Sequence, residues 1–132
     1  MKRILRAIFL LLMLAAWGQA GWQHSHLPER VAAHFNGIGQ PNGWVSRDAL
    51  LGWQIGAMAF LAALFCGIAY LQPCLPTDFI NLPHRDYWLA SERRAATDAW
   101  IAGLIFAVGS LVVAFLMFVF HLVYRVNLTP EP

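Results

Sequence analysis

The stretch WIAGLIFAVGSLVVAFLMFVFHLVY, residues 100–124, decides the fold. Its polar side chains are Ser110 and His121 alone. At about 1.5 Å of rise per residue, a helix over this run exceeds the roughly 30 Å hydrocarbon core of a bilayer. Only a helix or a closed barrel pairs all backbone groups in lipid. Working outward, LLGWQIGAMAFLAALFCGIAYL at residues 50–71 repeats the pattern, with Gln54 as its one strongly polar side chain. The run ILRAIFLLLMLAAWGQA at residues 4–20 is short, and reaching Trp22 makes it adequate. It also reads as a cleavable signal, with Lys2, Arg3 and Arg6 as basic region, Leu10 to Ala16 as apolar core and Gly18 to Ala20 as cleavage site; the uncleaved anchor is the preferred reading.

Composition agrees. Of 132 residues, 59% are hydrophobic and 12% charged, against about 25% charged in soluble domains, and the mean hydropathy is +0.55. A net charge of +2 with no basic stripe excludes nucleic acid as a partner class. The expected architecture is a single all-α membrane domain over residues 1–132. Its spans lie at 4–22, 50–71 and 100–124, its outer loop at 23–49, its inner loop at 72–99 and its tail at 125–132. Orientation follows from the basic residues. Lys2, Arg3, Arg6, Arg85, Arg93 and Arg94 fall on one side and Arg30, Arg47 and Arg125 on the other, which favours N-in, C-out. Trp17, Trp22, Trp44, Trp53 and Tyr124 then belt the outer interface, and Tyr70, Trp88 and Trp100 the inner one.

Helices in lipid associate through small residues that let backbones approach. The second span offers Gly52, Gly56, Ala59, Ala63 and Gly67 on one face, and the third offers Gly103, Ala107, Ser110 and Ala114. These stripes predict an antiparallel pair. Gln19, Gln54 and His121 gather towards the outer boundary. Either they line a polar crevice inside the bundle, or they reach up into the headgroups. No comparable feature is expected at the inner end.

In the outer loop QHSHLPERVAAHFNGIGQPNGWVSRDA, the stretch NGIGQPNGW carries three glycines, a proline and two Asn-Gly steps, all turn signals. Within it "RVAAHF" reads as a strand or a single helical turn. Gly37, Gly39 and Gly43 are expected at positive φ, and Trp44 at the interface. His34, beside Asn36, either senses protons or a ligand or bonds the loop's own backbone. His24, His26, His34 and Glu29 are close enough to suggest a metal, His24 and His26 as a strand-spaced pair, yet they match no standard zinc spacing; neither metal nor cofactor is expected. Cys66 and Cys74, eight apart, fit neither a zinc nor a redox pair.

The run Leu27-Pro28, Val31, His34-Phe35-Asn36, Gly39, Pro41, Gly43-Trp44 and Ser46-Arg47 resembles the signature of domain-of-unknown-function family 1648, over residues 27 to about 70. That domain also forms the N-terminal part of SdpI-type membrane proteins, which are implicated in immunity against a secreted toxic peptide. The resemblance implies a small bacterial membrane protein whose recurrent positions fall on His34, Phe35, Gly39, Trp44 and Arg47.

In the inner loop, Pro73 and Pro76 end the second helix. "NLPHRDYWL" is an amphipathic turn whose Tyr87 and Trp88 should bury against something. Ser91 is expected to cap a short helix, "ERRAATDAW". Arg93 and Arg94 are placed at the headgroups, on anionic lipid. No nucleophile-base pair, phosphate loop or paired intramembrane carboxylates occur. The functional expectation is therefore a non-enzymatic membrane protein that recognises an outside partner through His34, Phe35, Asn36, Gly39, Trp44, Arg47, Gln54 and His121. That partner would be a secreted peptide or another membrane protein. Two further readings are an accessory subunit of a larger membrane complex and a metal-dependent membrane enzyme on the loop histidines.

Overall fold

The computed structural model describes residues 1–128; the end of the expected tail, residues 129–132, lies outside them. Three helices are long and apolar enough to cross a membrane, which makes this a multi-pass membrane protein. They are α1 (Lys2–His26), α2 (Arg47–Leu71) and α4 (Ser91–Leu128). Between α1 and α2 stand two antiparallel strands, β1 (Arg30–Phe35) and β2 (Pro41–Ser46). The expectation of an all-α chain is corrected here, because "RVAAHF" is a strand and finds its partner in "PNGWVS". Between α2 and α4 lie two single 3-10 turns, Gln72–Cys74 and Thr77–Phe79, and the short α3 (Arg85–Trp88).

All three long helices outrun the expected spans. α1 continues to His26, since nothing interrupts it before Leu27-Pro28, where the chain turns extended. α2 starts at Arg47 because Ser46 caps it, its hydroxyl accepting from the Ala49 amide at 3.1 Å. α4 is one helix of 38 residues, about 57 Å long at 1.5 Å per residue. The expected short helix is its first turns. Ser91 is the first helical residue and not the cap, since the Arg94 amide already donates to the Ala90 carbonyl at 2.8 Å. Being about twice the thickness of the hydrocarbon core, α4 protrudes at both ends and serves as the post on which both end structures rest.

The core is made of large side chains. Phe9, Met13, Met58, Phe106 and Val113 are wholly or nearly buried. The buried positions of α1 are Phe9, Met13, Ala16, Ala20 and Gln23, and those of α4 include Ala102, Phe106, Gly109 and Val113. Both follow the alternating three-and-four spacing of an interdigitated seam. The expected small-residue pairing is corrected in two ways. First, α1 is the helix most extensively packed on α4, although α2 touches α4 as well. Second, the stripe on α2 faces away: Gly52, Gly56, Ala59 and Ala63 are exposed, and a Cβ on Gly52, Gly56 or Gly67 would meet no neighbour. The inward face holds Leu50, Gln54, Met58 and Ala69, two positions away and so on the far side of the helix.

On α4, Gly103 is buried against Leu5 and Lys2 of α1, not against α2. Ala107 and Ser110 are half-buried and Ala114 is exposed. The close approach occurs one residue before Ser110. A Cβ on Gly109 would stand 2.9 Å from both the Phe9 and Phe65 rings, so only glycine fits between them.

Candidate functional site

The hairpin is built from its turn upward. Asn36 closes the turn with its side chain, its amide oxygen accepting from Gln40 N at 2.8 Å and Ile38 N at 3.1 Å, as Asx turns do. Gly39, at φ 82, is the one glycine in the left-handed region. Gly37 and Gly43 are therefore not held by positive φ. Gly43 is needed for another reason: paired with His34 across the strands, it would place a Cβ 2.8 Å from the His34 Cβ. His34 Nδ1 donates to the Asn42 side-chain oxygen, and Phe35 is half-buried opposite Pro41. The bonding of His34 and Asn36 is thus within the hairpin itself.

The hairpin is fastened to every long helix. The Arg47 guanidinium donates to the Leu27 carbonyl at 3.2 Å, and its amide donates to the Glu29 carbonyl at 3.0 Å. His24 Nε2 donates to Asp48 Oδ1 at 2.7 Å, joining α1 to α2. From α4, Asn127 reaches β1 and pairs with both backbone groups of Ala32, accepting from its N–H at 2.7 Å and donating to its C=O at 2.9 Å. Leu27, Val31, Leu50 and Tyr124 pack beneath as a small apolar core.

That core closes the hairpin end of the bundle, where a polar crevice is one of the two readings of the sequence. Gln54 is 3% exposed beneath it and Gln23 likewise. Gln19 donates to the Met117 carbonyl at 3.1 Å. Each of the three glutamines keeps one buried amide atom without a partner among the described residues. His121 is half-buried with its ring 6.1 Å from Tyr124. A cavity of about 120 Å³ at this end lies between the hairpin and α4, walled by Pro28, Arg30, Ala32, Pro41 and Trp44 on one side and Val126 and Asn127 on the other.

The two edges of the hairpin differ. Antiparallel strands alternate between pairs bonded to each other and pairs whose backbone groups point outward. Ala32 gives both its groups to Asn127, so Ala32 and its partner Trp44 form an outward-pointing pair. Asn127 therefore covers the β1 edge. Trp44 turns its own N–H and C=O to the free edge of β2, beside an indole 46% exposed.

The loop histidines do not converge. His24 holds Asp48 and His34 holds Asn42. His26 donates to the Trp22 carbonyl at 2.7 Å. His24 and His26 are also helical, so the strand-spaced pair expected of them does not form. Among the described residues, no three His, Cys, Asp or Glu side chains are grouped as metal ligands.

The opposite end holds features that the sequence reading missed. Asp98 is buried, accepting from Gln72 Nε2 at 2.8 Å and from Arg94 Nε at 2.9 Å. Arg94 also donates to the Pro73 and Leu75 carbonyls at 3.1 and 3.2 Å. Arg94 thus faces the protein and not the lipid headgroups. It ties the turn after α2 to the start of α4, a polar lock where none was expected. Arg93 behaves differently. Its guanidinium lies 4.0 Å over the Tyr87 ring and donates to the Tyr87 carbonyl at 3.4 Å. Tyr87 and Trp88, expected to bury, stay 53% and 45% exposed and pack edge-on against each other.

Residues 8–60 match the model of a family described as a domain of unknown function, DUF1648. The matched stretch takes in most of α1, the whole hairpin and the first half of α2. No curated protein and no solved structure matches the chain.

Proposed function

We propose, for a chain that carries a DUF1648 domain across its first helix and hairpin, that it is a non-enzymatic receptor in the bacterial cytoplasmic membrane whose hairpin captures an extended, apolar segment of a secreted peptide. The observation that supports this reading is the unequal treatment of the two hairpin edges. An edge strand with free backbone groups is a template for one more strand. Asn127 removes that possibility on β1, and β2 retains it. Pro41 at the start of β2 costs nothing there, since proline is tolerated on edge strands. The exposed Trp44 indole supplies an apolar contact for one side chain of the added strand. Polar groups in the hairpin are taken up internally, which leaves shape and backbone pairing to do the recognising.

The orientation belongs to the same proposal. α1 begins and α4 starts at one end, where Arg6 donates to the Tyr70 hydroxyl at 3.0 Å. Six of the nine basic residues lie at that end. That excess supports a cytoplasmic position for this end and an outer one for the hairpin. Immunity to an envelope-active peptide fits a small receptor of this kind, and so does sensing such a peptide.

The test is survival. A strain lacking the gene is challenged with secreted envelope-active peptides, then complemented with the native chain or with Trp44→Ala. The native chain should restore resistance. Trp44→Ala should weaken it about thirtyfold in peptide concentration, the effect of losing an aromatic anchor worth about 2 kcal/mol. Unchanged sensitivity of the deletion strain across the peptide panel would remove the proposal's support.

A further inference from the structure

A second cavity lies at the end away from the hairpin, outside the site described above. It measures about 730 Å³, inside the range of about 300–1,000 Å³ typical of small-molecule pockets. Leu82, Pro83 and Trp88 of the loop form one wall, and Ala96 and Trp100 of α4 form the other. Thr97 holds the walls together, its hydroxyl donating to the Trp88 carbonyl at 2.8 Å. The lining on α4 also includes Arg93. Positions 93, 96, 97 and 100 follow helical spacing, so they share one face. From Arg93 to Trp100 that face climbs about 10 Å, from the charged start of α4 to the first residue of its apolar run.

We propose that this cavity is a phospholipid site: one acyl chain lies between Trp88, Ala96 and Trp100, and an anionic headgroup meets Arg93. Several observations favour a lipid over other occupants. The cavity is open and lined almost wholly by carbon, and on its α4 wall Ala96 and Trp100 are exposed. Trp88 and Trp100 are the residue type that settles at the lipid–water boundary. The charge is prepared for an anion. Arg85 pairs with Asp78 and Asp86, and Arg94 is consumed by Asp98. Arg93 has no carboxylate partner among the described residues, and the Tyr87 ring fixes its direction. A cation on an aromatic face keeps its edge donors for phosphate. The first turn of a long helix adds a favourable field for an anion. None of this depends on the hairpin or on which side of the membrane it faces.

Native mass spectrometry of the full chain in detergent tests the site. The chain is offered equal amounts of phosphatidylglycerol and phosphatidylcholine with identical acyl chains. The phosphatidylglycerol adduct should predominate. Arg93→Gln should lower it about fivefold, the factor for one basic residue at a lipid surface, and leave the phosphatidylcholine adduct unchanged. Arg93→Lys should keep the preference. Ala96→Phe, at an exposed position that tolerates bulk, should remove both adducts by filling the cavity. Equal retention of the two lipids would overturn the proposal, as would a preference that ignores Arg93→Gln. Adducts that persist in Ala96→Phe would place the lipid elsewhere. A dimer that Ala96→Phe dissociates would assign the cavity to a second copy of the chain instead.

Discussion

Asp98→Leu should lower the stability of the detergent-solubilised chain by about 2–3 kcal/mol, most of it from groups left behind and not from the carboxylate removed. Asp98 sits between two donors, the Gln72 amide and the Arg94 guanidinium. Both remain when it is gone. The Gln72 side chain already has its oxygen buried without a partner, so losing the bond to its nitrogen leaves the whole amide unpaired. Arg94 keeps its two backbone carbonyls, and its side chain is 23% exposed, so water offsets part of its loss. That exposure is why the cost is set below the larger penalty of a fully buried broken pair. In a thermal unfolding scan the midpoint should fall about 10 °C. Glu92→Ala, an exposed acid on the same helix, should move it little. A midpoint for Asp98→Leu equal to that of the native chain would mean that the lock contributes nothing.

Asn127→Ala should act at the other end and act locally. Ala32 is 1% exposed, and its N–H and C=O are both satisfied by the Asn127 amide. Alanine leaves two buried backbone groups without partners, at about 1–3 kcal/mol each, partly recovered as the hairpin shifts towards water. The expected result is a net loss of about 2–3 kcal/mol in local stability. Amide hydrogen exchange over residues 30–46 should then speed up about a hundredfold, with little change in the spans. Asn127→Asp should fall between, since a carboxylate still accepts from the Ala32 amide but repels its carbonyl. Uniform acceleration across hairpin and helices would show that Asn127 supports the whole fold and is not a hairpin clasp.

The spans were legible because an apolar run of 25 residues, such as 100–124, has one stable state in lipid. The turn was legible for a related reason: Asn36 and Gly39 carry their conformational preference with them. Other features depended on tertiary partners. "RVAAHF" is too short to declare a period, and its pairing with β2 made it a strand. The stripe from Gly52 to Gly67 is a real face, but periodicity does not say which way a face points. Three helices packed around Phe9 and Phe106 put that face outside. Gly109 went unnoticed because its neighbours at helical spacing are large, and it is small only to admit two rings. The Gln72–Asp98 bond spans 26 residues across an irregular loop, and no local pattern announces it. The lipid cavity was half legible. Trp88, Arg93 and Trp100 each read as interfacial, while the space between them exists only because the loop folds back onto Thr97.

The proposed receptor requires the hairpin to face outward from a three-span chain, and cysteine labelling in intact cells measures that directly. Cys74 is exposed at the end away from the hairpin, and Ile38 at the hairpin tip is 79% exposed. Two single-cysteine chains suffice, one keeping Cys74 and one carrying Ile38→Cys, each with the other native thiols replaced by serine or alanine. A membrane-impermeant maleimide should label the Ile38→Cys chain in intact cells and reach Cys74 only after permeabilisation. Labelling of Cys74 in intact cells, with the hairpin protected until the membrane is opened, would contradict the orientation and with it the proposed receptor.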